Sequence, residues 1–353
     1  MLETEFYFAS QDGTSQIRAL LWEPDPTDPA QAKSPQAAPA RTDTPFILQI
    51  MHGMAEHIER YRNFAEYCTN RGIIVCGHDH IGHGKSVSSA NEWGHMPFNG
   101  KQVLIEDAHQ LRLQIQERFQ RQSQATVEAN LEAGADTSAK AEPSAPLPYV
   151  LFGHSMGSFV LRLYLAEHAT GIAAAIISGT GQQPALLSAS GSLLARLLSL
   201  FRGINYKSPL LYQLSVGAYA KQIENAQTPL DWLSTDEAVV AAYIAAPDCG
   251  FLFDNGANYS LTSLTGSMVK PQLIAAIPLD LPLLFIAGAD DPVGEKGAGV
   301  KRAVQLCEDT GHTDVSLKLY EGMRHEVLNE RGRQQVYDDI LKWAEKRVAA
   351  HSA

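Results

Sequence analysis

Gly153-His154-Ser155-Met156-Gly157 sets a serine between two glycines, directly after the apolar run YVLFG at 149–153 and before the periodic segment SFVLRLYLAEH. A strand that runs straight into a helix must turn sharply there. Glycines on either side let the backbones close up, so that the serine hydroxyl stands above the sheet. A serine hydroxyl is a weak nucleophile until a histidine takes its proton and a carboxylate fixes the histidine tautomer. Both residue types recur downstream: Ala289-Asp290-Asp291-Pro292 follows LPLLFIAG at 281–288, and Glu321-Gly322-Met323-Arg324-His325 follows VSLKLY at 315–320. The chemistry this order could do is nucleophilic acyl transfer, with Ser155 as nucleophile, His325 as general base and one of the two aspartates as orienting acid. Asp291 is preferred, because only one of two adjacent side chains can enter the cleft and Asp291 directly precedes the rigid Pro292. The other aspartate is then a turn or helix cap.

A tetrahedral oxyanion needs N–H donors already in place. The N–H after the nucleophile, Met156, is one candidate. Met54 is the other: it lies in His52-Gly53-Met54-Ala55-Glu56-His57, directly after FILQIM at 46–51, where Gly53 permits close approach of the backbone to a substrate.

The elements that must hold these groups are legible as short apolar runs alternating with amphipathic segments, the signature of an α/β protein with a mostly parallel sheet. The runs fall at 46–51, 73–77, 149–153, 172–178, 281–288 and 315–320. Residues 4–9 and 15–22 flank Asp12-Gly13 and predict an antiparallel hairpin. Tyr61, Phe64, Ala65 and Cys68 predict one helix, Leu104, Ala108, Leu111, Ile115 and Phe119 a longer one, and Val336, Ile340, Trp343 and Arg347 the last. The proline-rich stretch 24–45 and the Ala, Ser, Pro and Glu-rich stretch 121–147 read as surface insertions.

Residues 180–265 break the alternation and predict an inserted helical cap between two core segments, 1–179 and 266–353. Leaving the core at the sheet edge that carries Ser155, the insertion is placed to act as a lid, with Leu193, Leu194, Leu197, Leu198 and Phe201 of SLLARLLSLF as candidates for its inner wall. The competing reading of that run is a ten-residue interfacial helix, with Arg196 and Arg202 toward lipid headgroups and too short to span a bilayer.

Against 28 Lys and Arg stand 39 Asp and Glu, a net charge of −11 over 353 residues, which disfavours nucleic acid and anionic surfaces as partners. Cys68, Cys76, Cys249 and Cys307 form no CxxC pair and read as reduced thiols. The start MLETEFYFASQDG lacks the basic and apolar regions of a signal peptide, so a soluble cytoplasmic protein is expected. His52, His57, His78, His80, His83 and His95 crowd one region, yet no matching carboxylate or cysteine set is evident in sequence, and no metal is expected. His154 reads as packing.

The series HGMAEHIERY, GHDHIGHGKS, GHSMG, GADDPV and YEGMRHEVLNE resembles the motifs of monoacylglycerol lipases and lysophospholipases, a branch of the α/β-hydrolase superfamily, over about residues 46–345. The resemblance implies an α/β-hydrolase fold and a cofactor-free esterase acting on a monoacylglycerol or lysophospholipid. It matches Ser155 to the nucleophile, Asp291 to the acid, His325 to the base, and Met54 with Met156 to the oxyanion donors. Glu56 and Arg60 fall where these lipases keep polar groups beside the alcohol end of the substrate. The doubled Asp290-Asp291 departs from the simple pattern. A peptidase or amide hydrolase on the same fold, and a ligand-binding homologue without catalysis, remain the alternatives.

Overall fold

In the computed structural model, residues 1–27, 42, 44–132 and 146–351 are described. Eight strands form one sheet: β1 (Leu2–Ala9), β2 (Gln16–Glu23), β3 (Ile47–Met51), β4 (Ile74–His78), β5 (Tyr149–His154), β6 (Ala174–Ser178), β7 (Leu283–Gly288) and β8 (Val315–Tyr320). Their spatial order is β1-β2-β4-β3-β5-β6-β7-β8. The β1–β2 and β2–β4 pairs are antiparallel and every later pair is parallel. The β1–β2 turn is closed by Asp12, whose carboxylate accepts from the Thr14 and Ser15 N–H groups at 2.7 Å each, while Gly13 adopts a φ of 81°.

The helices follow in chain order: α1 (Arg62–Thr69), α2 (Gly100–Glu132), α3 (Met156–His168), α4 (Ala185–Arg202), α5 (Pro209–Leu214), α6 (Val216–Ala220), α7 (Glu237–Ala245), α8 (Asn255–Ser267), α9 (Pro271–Ile274), α10 (Ala298–Asp309) and α11 (Arg333–His351). Leu104 and Leu111 of α2, Val160 of α3 and Val300 of α10 share one core with Leu151 of β5. Phe64 of α1 and Val336 and Ile340 of α11 share the opposite core with Phe152. Neighbouring residues of β5 thus face opposite layers, as strand alternation requires. Strands β3, β5, β6 and β7 are buried at every position because helices cover both faces, which is why they read as mostly apolar runs. This is the α/β-hydrolase fold.

Two expectations need correction. Residues 121–132 are not an insertion but the last turns of α2, since Gln, Ala and Glu extend a helix that is already nucleated at little cost. Residues 133–145, and 28–41 with 43 in the other expected insertion, lie outside the described residues.

The second correction concerns α4, which spans 18 residues rather than ten and is long and apolar enough, by length and composition alone, to cross a membrane. Its inward stripe is made of small residues. Ser188 bonds Thr265 of α8 at 2.8 Å, Ser192 bonds Thr262 at 2.8 Å, and Gly191 and Ala195 complete the helical spacing. A Cβ on Gly191 would stand 2.8 Å from the Thr262 methyl, so the two helices touch too closely for leucine between them. Most of the leucines therefore face outward: Leu186, Leu200 and Phe201 are 82%, 78% and 84% exposed, Leu193 and Leu197 are also exposed, and Leu194 and Leu198 are half-buried.

Candidate active site

Ser155 joins β5 to α3 with φ 52° and ψ −120°, a strained backbone that lifts its side chain off the sheet. The flanking glycines are required by contact. A Cβ on Gly153 would lie 2.4 Å from the Gly157 carbonyl oxygen, and one on Gly157 would lie 2.1 Å from the Met51 carbonyl oxygen of β3. The Ser155 N–H donates to Ser178 at the end of β6 (2.9 Å), which fixes the turn against the neighbouring strand.

His325, on the loop after β8, donates from Nδ1 to Asp291 Oδ2 at 2.9 Å, and both side chains are buried. The other oxygen of Asp291 accepts from the Val293 N–H at 2.9 Å. Asp290 is exposed, its N–H spent on the Met323 carbonyl. The structure thus brings Asp291, and not its neighbour, to His325. Ser155, His325, Met54, Met156 and Glu56 all line one pocket. Its wall comes from Tyr212, Val216, Tyr219, Leu230, Leu233 and Leu261, and not from the α4 leucines. This apolar lining suits a ligand with an apolar portion, such as an acyl chain.

Burial alone would lower the His325 pKa, but the Asp291 carboxylate and its hydrogen bond, with Glu326 and Glu56 further off, outweigh it and raise the value above 6.5. A base must be neutral to accept a proton, so kcat/KM should fall with acidity about a midpoint above the ordinary histidine value of about 6.5. A rate–pH profile that stays flat down to about pH 4 would exclude a histidine base.

Glu56 reaches beneath the Met54 loop: its Oε1 accepts from the Gly53 N–H (2.5 Å) and the Tyr61 hydroxyl (2.9 Å). Arg60 stands behind it, donating to Glu56 at 2.5 Å and, through both terminal nitrogens, to Glu326 at 2.6 Å each. Arg60 is not among the pocket-lining residues, so of the two polar residues expected at the alcohol end only Glu56 meets the cavity. Sequence reading missed Glu326, although an acid beside the proposed base was visible in the quoted motif. It also missed Trp232, whose ring lies 5.0 Å from that of His325 and whose carbonyl accepts the His325 N–H at 3.4 Å.

Four histidines of the histidine-rich region, His52, His78, His80 and His83, pack their buried rings against one another. His52 Nδ1 donates to the Gly53 carbonyl (2.7 Å) while its Nε2 accepts from the His80 N–H (2.9 Å). His78 and His80 pair through ring nitrogens at 3.1 Å, and His83 Nδ1 donates to the Ile81 carbonyl at 2.9 Å. Burial holds all four pKa values down, to about 3 for His78 and about 4 for His83. His154 is likewise lowered, by burial first and then by His325 and Arg60, and packs 4.7 Å from the His325 ring.

The family described as Serine aminopeptidase, S33, matches residues 44–332. A monoacylglycerol lipase of Mycolicibacterium smegmatis is 29% identical over 305 residues, covering 86% of this chain and 89% of that one. The human monoglyceride lipase is 24% identical over 316 residues, covering 87% and 85%. Among solved structures, a thermostable carboxyl esterase from Bacillus coagulans, in complex with glycerol, superimposes with a TM-score of 0.78 at 28% identity and 99% coverage of both chains. The chain belongs to the S33 serine aminopeptidase family, on the monoacylglycerol lipase-like branch of the α/β-hydrolases.

Proposed function

We propose that this carboxylic ester hydrolase cleaves monoacylglycerols through an acyl-Ser155 intermediate. The observation that carries the proposal is the Asp291–His325 pair facing, across one pocket, a serine on a strained strand-to-helix turn. In this reading His325 takes the Ser155 proton as Oγ attacks the ester carbonyl, then returns it to the departing glycerol oxygen. Asp291 holds the imidazole with Nε2 free to accept. The Met54 and Met156 N–H groups bind the oxyanion, and Glu56, braced by Gly53, Tyr61 and Arg60, offers an acceptor to a glycerol hydroxyl. Water repeats the sequence on the acyl enzyme. The apolar wall takes the acyl chain, each buried CH₂ contributing about 0.8 kcal/mol. Turnover of a monoacylglycerol, a lysophospholipid and an aminoacyl amide, compared at equal concentration, tests the reading. Faster cleavage of the amide would replace it with a peptidase, and faster cleavage of the lysophospholipid would change the headgroup.

Residues 180–265 we take as a cap over this pocket, and the outward face of α4 as its contact with a lipid surface. Leu186, Leu200 and Phe201 would enter the interface, with Arg202 at the helix end near headgroups. Changing Leu200 and Phe201 together to serine should weaken co-sedimentation with phosphatidylcholine vesicles tenfold or more, because each large apolar side chain contributes about 1.5–3 kcal/mol on burial. Hydrolysis of a water-soluble short-chain ester should not change. Unaltered vesicle binding would leave α4 no role at lipid. The cytoplasm remains the proposed compartment, supported by four buried cysteines that are all unpaired.

A further inference from the structure

Two clusters among the described residues bring three potential metal ligands together, and they differ in kind. Glu106, Glu167 and His168 lie along α2 and α3, rich in oxygen and open to solvent. The other cluster joins His57, in the loop after β3, to Asp248 and Cys249, in the turn after α7, with all candidate ligand atoms within 4.8 Å of one another. His57 Nε2 and Asp248 Oδ2 are 3.6 Å apart. Two ligands about 2.1 Å from a tetrahedral zinc ion lie about 3.4 Å from each other, so small side-chain rotations would close this set on one ion.

The backbone holds these ligands in place. The Gly250 N–H and the Tyr243 hydroxyl both donate to the Ala55 carbonyl, at 2.9 and 2.7 Å, which fastens the Asp248–Cys249 turn to the loop carrying His57. Ala55 adopts a φ of 53° to present that carbonyl. Cys249 is buried, whereas the His57 and Asp248 side chains keep 14% and 30% of their exposure, so an ion can approach from solvent and retain a water. One sulfur, one imidazole nitrogen and one carboxylate form a donor set for a thiophilic divalent cation. Magnesium and calcium take oxygen ligands instead.

We propose that His57, Asp248 and Cys249 bind a single divalent cation of the zinc class, with water as fourth ligand, clamping the turn after α7 to the loop that carries Met54. Binding forms a bond from Cys249 Sγ to the metal as the thiol proton leaves to solvent. The Asp248 carboxylate and the lone pair of His57 Nε2 supply the other protein bonds, and no electron is transferred. The site is separate from the Ser155 chemistry and does not depend on which ester is cleaved.

Cobalt(II) titration of the full-length chain provides the test, because thiolate-bound cobalt absorbs by charge transfer in the near ultraviolet. One equivalent should produce that band and one equivalent of zinc should bleach it. The Glu106 cluster contains no sulfur and cannot contribute. Cys249→Ser should abolish the band, and His57→Gln and Asp248→Asn should each weaken zinc binding tenfold or more in competition with a chromophoric chelator. Zinc should also raise the Tm of the unaltered chain and leave that of Cys249→Ser where it was. If Cys249→Ser fails to fold, Asp248→Asn at the exposed rim carries the same comparison. The absence of a thiolate band in the folded chain, a band that survives Cys249→Ser, or zinc affinity unchanged in Asp248→Asn would overturn the site.

Discussion

Ser155→Ala should lower kcat for ester hydrolysis by a factor on the order of 10⁶ while leaving the fold in place, since the covalent route disappears with the hydroxyl. The backbone at 155 is strained for alanine as it is for serine, so the change adds no new conformational penalty. The loss should therefore appear in turnover and in labelling by a fluorophosphonate, with the Tm unchanged. Residual turnover within about tenfold of the unaltered enzyme would move the nucleophile elsewhere. A large fall in Tm would mean that the serine serves the fold.

Asp291→Asn should cost on the order of 10⁴ in kcat, and Asp290→Asn little. The asparagine oxygen can still accept the Val293 N–H, so the loop keeps its shape. Its amide, however, would face His325 Nδ1 as a donor where a carboxylate accepts. The ring then takes the other tautomer, with its proton on Nε2, and can no longer receive one from serine. Asp290 is exposed and its backbone N–H, which bonds Met323, is untouched by the change. Kinetics of the two variants side by side give the measurement. A reversed ranking would assign the acid to Asp290 and contradict the orientation seen here.

How far the sequence could lead depended on the range of each interaction. The sheet was legible because β3, β5, β6 and β7 are buried on both faces, so each is a mostly apolar run, broken inside only by Gln49 of β3. Ser155 and His325 were legible because strand ends position them and the strands had been found. The choice of Asp291 rested on its neighbour Pro292, a local cue that agrees with the inward orientation. The α4 leucines misled, since an apolar periodic run signals a buried face only when nothing smaller competes for it, and here Ser188, Gly191, Ser192 and Ala195 take the contact with α8. The Arg60–Glu326 pair and the approach of His57 to Asp248 and Cys249 join segments far apart in the chain, and no spacing rule reaches across them.

The four neutral rings behind the Met54 loop set a limit of a different sort, on survival rather than rate. An unfolded histidine titrates near 6.5, while His52, His78, His80 and His83 hold their protons only at much lower pH in the fold. Folded values below unfolded ones mean that the unfolded chain binds more protons as acidity rises. Stability from this stack is thus complete above about pH 6.5 and drains away as the pH drops below it. The four rings are linked, because His80 lies 4.1, 4.8 and 6.1 Å from His52, His78 and His83, and His52 lies 5.2 Å from His83, so a charge on one ring would sit beside another. Acid thus acts on this protein twice: reversibly through His325, whose proton can be removed again, and then through collapse of the scaffold that shapes the Met54 loop.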